Sequence, residues 1–307
     1  MKSLVYKSTG NWYLLKNENG EVYNARIKGK FKIDDITSTN PIAVGDVVEA
    51  DIEDGDESIV ISKIYERKNY ITRQSPHNKH LHHIVAANLD QSILLATLKD
   101  PKTSTGFIDR FLVASEAYHV PAIIVFNKTD LHKSKEEEKL VKIKQVYKEI
   151  GYPVYDMSIN QNSGINEVKE LLKDKTTLIS GHSGVGKSSF INSILPENIS
   201  KTQEVSKWSG KGLHTTTFAE MFDLPFGGKI IDTPGMREFA MMDIEPHELS
   251  HYFPEMKALI NNCRFNNCIH IEEPGCAVKV AVEENKISPE RYISYLNILE
   301  SIDNKKW

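Results

Sequence analysis

Thr177-Leu178-Ile179-Ser180-Gly181-His182-Ser183-Gly184-Val185-Gly186-Lys187-Ser188-Ser189 decides how the chain is read. A short apolar run of strand length enters the spacing G-x-x-x-x-G-K-S, and the residues after Lys187 take up a helical pattern. Strand, glycine-rich loop and helix start together let backbone N–H groups wrap phosphates where the helix dipole favours negative charge. Gly181, His182, Ser183, Gly184, Val185 and Gly186 form the loop. Lys187 supplies a point charge to the outer phosphates and Ser188 a magnesium ligand, with Ser189 beside it. His182 reads as a residue that shapes the loop rather than as a base.

Around this stretch, strands alternate with helices from about residue 84 to 240. Strands are expected at 92–97, 122–126, 154–158, 177–180, 219–224 and 229–232. Helices are expected at 108–118, 136–150, 165–172 and 187–195. That alternation predicts an α/β domain built on a mostly parallel, doubly covered sheet. Two further motifs fall on strand ends. Asp232-Thr233-Pro234-Gly235 places a carboxylate where it suits the second shell of magnesium, and the Gly235 N–H can approach a γ-phosphate. Asn127-Lys128-Thr129-Asp130 follows the strand at 122–126. A carboxylate at Asp130 can accept from guanine N1–H and the 2-amino group, two donors that adenine lacks. Ser158 sits where a second base-contacting loop is expected.

Residues 1–66 read as all-β. Short alternating runs are separated by turn residues at Asn19-Gly20, Lys28-Gly29, Gly45-Asp46 and Asp54-Gly55. A small barrel follows; an OB-type barrel fits the length, and an SH3-like barrel reads much the same. With 8 basic and 12 acidic residues, this segment is no broad cationic platform. Residues 67–83 carry Arg67, Lys68, Arg73 and Lys79 with four histidines and no acid. They read either as a solvated linker or as a basic strap for phosphates. The whole chain has 307 residues and a net charge of −4, so any nucleic-acid surface is local. No apolar run approaches the ~20 residues of a membrane helix, and Met1 to Lys7 lack a signal-peptide core. A cytoplasmic protein without a membrane partner is expected.

Residues 241–307 carry helical patterns around all three cysteines. The spacing Cys263-x4-Cys268-x-His270-x5-Cys276 offers three thiolates and an imidazole, a complete tetrahedral zinc shell. Four ligands leave no open position, so one structural Zn2+ is expected. The last helix starts at Ser288-Pro289, with Tyr292, Leu296 and Leu299 on one face.

The order of the motifs is unusual. A GTPase normally runs from the phosphate loop to the base motif, whereas here Asn127 to Asp130 precede Gly181 to Ser188. The set is circularly permuted, which a compact domain with neighbouring termini tolerates. Barrel first, permuted nucleotide domain at 84–240 second and cysteine–histidine cluster at 241–307 last resemble the RsgA family of ribosome-small-subunit-dependent GTPases. The resemblance covers essentially the whole chain. It implies a magnesium-dependent GTPase acting on GTP and releasing GDP. Its expected partner is the small ribosomal subunit with its rRNA, and neither DNA nor an obligate oligomer is expected; the chain is expected to act as a monomer. It implies a switch within Thr215, Thr216 and Thr217, with Thr216 taken to close over magnesium. Met236 follows Gly235 where many GTPases carry a water-orienting glutamine. His214, beside the threonines, is therefore expected to be catalytic along with Lys187. The alternative is a nucleotide-regulated RNA-binding module in which hydrolysis is incidental. Asn127 to Asp130 disfavour an ATPase.

Overall fold

The computed structural model describes residues 1–10, 12–27, 41–52, 59–74, 82–195, 219–233 and 244–303. Strands β1 (Lys2–Ser8), β2 (Tyr13–Asn17), β3 (Val22–Ile27), β4 (Val47–Ile52) and β5 (Ile59–Ile64) run in the order β1-β2-β3-β5-β4. β4 also pairs with β1, which closes a five-stranded barrel, and β3 lies parallel to β5. Alternate residues Val5, Tyr13, Leu15, Val48, Ala50 and Ile61 point inward and are buried. The period-two pattern of the sequence thus fills the barrel, as the expectation required.

The first two basic residues of the segment at 67–83, read as a linker or a strap, are paired within the protein. Arg67 donates from Nε to Asp46 Oδ1 at 2.6 Å and from Nη2 to Asp46 Oδ2 at 2.6 Å and the Pro41 carbonyl at 2.7 Å. Its side chain is 11% exposed and Asp46 is fully buried, so this arginine closes the barrel base instead of facing a phosphate. Lys68 pairs with Asp90 at 3.1 Å on the surface. Nor is the segment a plain linker: β6 (Tyr70–Gln74) pairs antiparallel with β7 (His82–Ala87). His77, Lys79 and His80 lie outside the described residues.

The second layer system contains β8 (Gln91–Ala96), α1 (Thr105–Ala117), β9 (Ala122–Phe126), α2 (Ser134–Ile150), β10 (Val154–Asp156), α3 (Ile165–Leu172), β11 (Thr176–Ser180), α4 (Lys187–Ile194), β12 (Glu220–Asp223) and β13 (Lys229–Asp232). The strands run β10-β9-β8-β11-β13-β12, with parallel pairing up to β13 and antiparallel pairing of β12. β8 and β9 are buried along their whole length, as continuous apolar runs in a doubly covered sheet must be. One face packs Phe111, Ile124 and Leu178; the other packs Ile93, Ile179 and Phe190. The strand expected at 154–158 stops at Asp156, because Ser158 turns away into a closed loop through paired backbone bonds with Ser163 at 2.9 and 3.0 Å.

The barrel and the parallel sheet are one sheet of eleven strands. β1 meets β12 antiparallel at Lys7↔Glu220. Three side-chain bonds seal that seam: Lys7 to Glu220 at 3.0 Å, Tyr6 Oη to Asp223 at 2.7 Å and Lys16 to Asp223 at 2.5 Å. Burial pushes the Asp223 carboxyl up, but the Lys16 and Tyr6 hydrogen bonds outweigh it and hold the group below its ordinary range.

The C-terminal part is helical, with α5 (Pro254–Lys257), α6 (Ala277–Glu283) and α7 (Pro289–Asp303). Leu249, Phe253, Tyr295 and Ile298 form its core, joined by Val113 of α1. The buried face of α7 carries Arg291, Tyr295, Ile298, Leu299 and Ile302, while Tyr292 and Leu296 sit only half-buried at its flank. Arg291 is drawn inward by two carboxylates, Asp109 and Glu255, which turns the helix away from the purely apolar stripe expected. Among the described residues no helix is long and apolar enough to cross a membrane.

Candidate nucleotide site and cysteine–histidine cluster

β11 delivers the chain to Gly181, and the loop ends at Lys187, the first residue of α4. Two glycines are obligatory. Gly181 has φ +145° and a Cβ there would strike the Leu95 carbonyl; Gly186 has φ +98° and a Cβ would strike Asn127 Nδ2. The space those missing side chains leave lets the phosphate loop press against β8 and the base loop. Lys187 Nζ donates to the carbonyls of Gly181 at 2.5 Å and His182 at 3.3 Å. Burial lowers its pKa, and the Asp232 carboxylate opposes that shift. Asp232 ends β13. Burial raises its pKa; Lys187 pulls it down, while Glu220, its register partner on β12, pushes it up. A half-buried lysine facing a largely buried carboxylate at a helix start suits a phosphate with its cation, and both charges then gain partners. The His182 ring stacks on Phe107 of α1, with centroids 3.6 Å apart and planes tilted 30°. Burial, then Lys187, lowers its pKa and keeps the ring neutral.

The base motif lies beside the phosphate loop because β8 places β9 and β11 on its two sides. Asn127 Nδ2 donates to the Val185 carbonyl at 2.8 Å, joining two motifs 58 positions apart. Its Oδ1 is buried with no protein donor among the described residues. Lys128, at φ +61°, turns the chain so that Asp130 faces the adjoining loop, and its Nζ donates to the Asp100 carbonyl. Ser158 Oγ donates to Asp130 Oδ1 at 2.5 Å and Asn160 Nδ2 to Asp130 Oδ2 at 3.1 Å. The Ser158 bond, aided by Asn160, holds the Asp130 carboxyl below its usual range. Asn160 and Phe107 escaped the sequence reading; neither belongs to a spaced motif, and only their contacts reveal them. The expected residues His214, Thr216 and Gly235 lie outside the described residues.

The four-residue cluster assembles as spaced. Sγ of Cys263, Cys268 and Cys276 and one ring nitrogen of His270 all lie within 4.8 Å of one another. His270 Nδ1 stands 3.3 Å from Cys276 Sγ and 3.7 Å from Cys263 Sγ. The His270 backbone, at φ +60°, swings the ring inward. Second-layer bonds hold the turn: Tyr292 Oη donates to the His270 carbonyl at 2.6 Å and Tyr295 Oη to the Ile269 carbonyl at 2.7 Å. Glu273 accepts from the backbone N–H groups of Ile269 at 2.6 Å and Ile271 at 2.8 Å. Burial, with neighbouring thiols, pushes Cys268 up to about 12, so thiolates crowd here only around a cation. Burial lowers the His270 pKa, leaving a neutral imidazole suited to ligation. The donor set therefore fits a metal ion.

A phosphate loop joined edge to edge with a guanine-type base loop, in permuted order, behind a barrel and ahead of a Cys3His module, defines a circularly permuted GTPase. Residues 64–242 match the RsgA GTPase family and residues 2–60 match the RsgA N-terminal domain. The small ribosomal subunit biogenesis GTPase RsgA of Flavobacterium psychrophilum is 50% identical over 305 residues, covering 99% of this chain and 94% of the relative. That of Cytophaga hutchinsonii is 50% identical over 307 residues and the full length of both chains. The crystal structure of YjeQ from Thermotoga maritima superposes with a TM-score of 0.76 at 35% identity, covering 98% of each chain. YloQ, a circularly permuted GTPase, gives a TM-score of 0.74 at 29% identity over 99% of this chain and 95% of its own. The chain belongs to the RsgA family of GTP-hydrolysing enzymes.

Proposed function

We propose that this GTPase depends on magnesium, acts in the cytoplasm as a monomer, binds the rRNA of the small ribosomal subunit and assists its late maturation. The GTP state favours the bound form, and hydrolysis releases it. The observation that carries this reading is the joined phosphate and base loops lying in one continuous sheet with an N-terminal barrel. Its biological direction comes from full-length relatives named small ribosomal subunit biogenesis GTPases. In this reading the chain divides into a barrel at 1–66, a connecting segment at 67–83, a GTPase domain at 84–240 and a zinc-binding domain at 241–307. Asp130, fixed by Ser158, reads guanine, and Asn127 and Lys128 frame the base. Gly181, His182, Ser183, Gly184, Val185 and Gly186 wrap the phosphates with Lys187. Ser188, Ser189, Thr216 and Asp232 attend the Mg2+ ion, which when bound shields phosphate charge. Gly235 N–H meets the γ-phosphate, and His214 orients water. Cys263, Cys268, His270 and Cys276 hold one structural Zn2+. The seam of Tyr6, Lys7 and Lys16 on β12 supports transmission to the barrel, since β12 lies between the segments that carry Thr216 and Gly235.

The decisive experiment measures GTP hydrolysis with and without purified ribosomal subunits. Small subunits are expected to raise turnover at least about tenfold, ~1.4 kcal/mol of barrier, and large subunits are expected to do nothing. Equal turnover under all conditions sinks the ribosomal reading. For the metal, protein prepared without chelator is expected to carry about one zinc per chain, and Cys268→Ala to lose it while guanine-nucleotide binding persists. A metal-free unmutated protein by elemental analysis overturns the zinc assignment.

A further inference from the structure

We propose that Asn160 is a specificity-determining positioning residue that locks the plane of the Asp130 carboxylate for guanine. The proposal rests on the reading of Asp130 as the base-recognising group. A carboxylate on a single-bonded stem turns easily, because the terminal torsion of aspartate is broad. Ser158 Oγ holds one oxygen at 2.5 Å. One side-chain anchor fixes one oxygen; the Asp130 backbone N–H lends its own carboxylate a further, local contact. Asn160 Nδ2 holds the second oxygen at 3.1 Å, so the two side-chain donors together define a plane.

The donors are fixed by the chain, not by a ligand. Ser158 and Ser163 exchange backbone hydrogen bonds, Asn162 N–H donates to the Ile159 carbonyl at 3.2 Å, and Gln161 N–H donates to Ser158 Oγ at 3.2 Å. Gly164 packs so closely on the Asp156 carbonyl that no Cβ fits. Asn160 thus rides on a closed loop aimed at Asp130. Each carboxylate oxygen has two lone pairs, so an oxygen held by Asn160 still accepts from a base.

Guanine and hypoxanthine differ by the 2-amino group alone. Hypoxanthine N1–H needs one oxygen of Asp130, and a turning carboxylate still supplies it. Guanine needs both oxygens in the plane of the base. Loss of the second anchor must therefore weaken GTP more than ITP, whereas a general loosening of the loop weakens both alike. Asn160 is exposed, so its truncation leaves the core intact.

The test is fluorescence titration of GTP, ITP and XTP with the unmutated protein, Asn160→Ala and Asp130→Asn. Asn160→Ala is expected to weaken GTP about fivefold and ITP less than about twofold, narrowing their ratio. Equal weakening of GTP and ITP, or no change in either, overturns the proposal. Asp130→Asn separates the two levels. If it shifts preference from GTP to XTP while Asn160→Ala leaves the GTP/ITP ratio unchanged, the guanine reading stands and the anchor role falls. If Asp130→Asn leaves GTP binding unchanged, the reading falls and the proposal with it.

Discussion

Arg291→Met is expected to destabilise the junction between the GTPase and C-terminal domains by about 3–5 kcal/mol, as a buried ion network losing its cation does. Arg291 is 2% exposed. Its Nη1 donates to Asp109 Oδ1 on α1 at 2.7 Å, and its Nε and Nη2 donate to Glu255 on α5 at 2.7 and 3.2 Å. Tyr147 Oη from α2 also donates to Asp109 Oδ1 at 2.7 Å, and Phe253 lies under the guanidinium at 4.5 Å. Methionine fills the stem volume but leaves the buried Asp109 and the half-buried Glu255 uncompensated. Arg291→Lys keeps the charge and loses the fork, so an intermediate loss is expected. The triple variant Arg291→Met, Asp109→Leu, Glu255→Met removes all three charges and should recover most of the stability. Urea unfolding followed at the C-terminal domain measures each loss. A loss below about 1 kcal/mol for Arg291→Met means that the triad is not the clamp its burial implies.

That triad marks the limit of what the sequence made legible. The G-x-x-x-x-G-K-S spacing, the Asn-Lys-x-Asp run and the four metal-type ligands were readable because each is local, with fixed offsets imposed by one turn or one loop. The strands at Ala122–Phe126 and Lys229–Asp232 and the helix Ile165–Leu172 were equally plain, since their apolar periods leave a single choice. Charged residues with distant partners were not readable. Arg67 read as a solvated linker residue or a phosphate contact, yet Asp46 lies 21 positions away and becomes its partner only when the barrel closes. Arg291 interrupts the apolar face of α7, yet Asp109, 182 positions earlier, makes it part of the core. The joining of barrel and parallel sheet was hidden for the same reason. One register pair, three polar contacts between residues more than 200 positions apart, and the packing of Tyr6 against Met221 and Ile231 in one core make it, and none of these has a local signal. Asn160 had no signal beyond lying two residues after Ser158.

Asp130→Asn is expected to lower GTP affinity on the order of 100-fold, ~2.7 kcal/mol, and to raise XTP affinity. The carboxylate presents two acceptors, matched to N1–H and the 2-amino group of guanine. An amide presents one acceptor and one donor, so the guanine amino group faces an N–H and both stay buried without an acceptor. Xanthine carries a carbonyl at that position and restores the pairing. The surroundings bear on how complete the exchange is. Ser158 Oγ donates to one oxygen of Asp130, which the amide oxygen can keep. The amide nitrogen then falls opposite Asn160 Nδ2, donor against donor, unless the Asn160 amide turns over to offer its oxygen. Asparagine makes that turn without leaving its place, because its two ends are nearly the same size. Asp130→Asn alone should therefore rotate Asn160 and bind XTP, whereas Asp130→Asn with Asn160→Ala should bind it less tightly. Titration of both variants with GTP and XTP decides the matter. An Asp130→Asn protein that binds GTP as before, or gains nothing toward XTP, removes Asp130 from the base site.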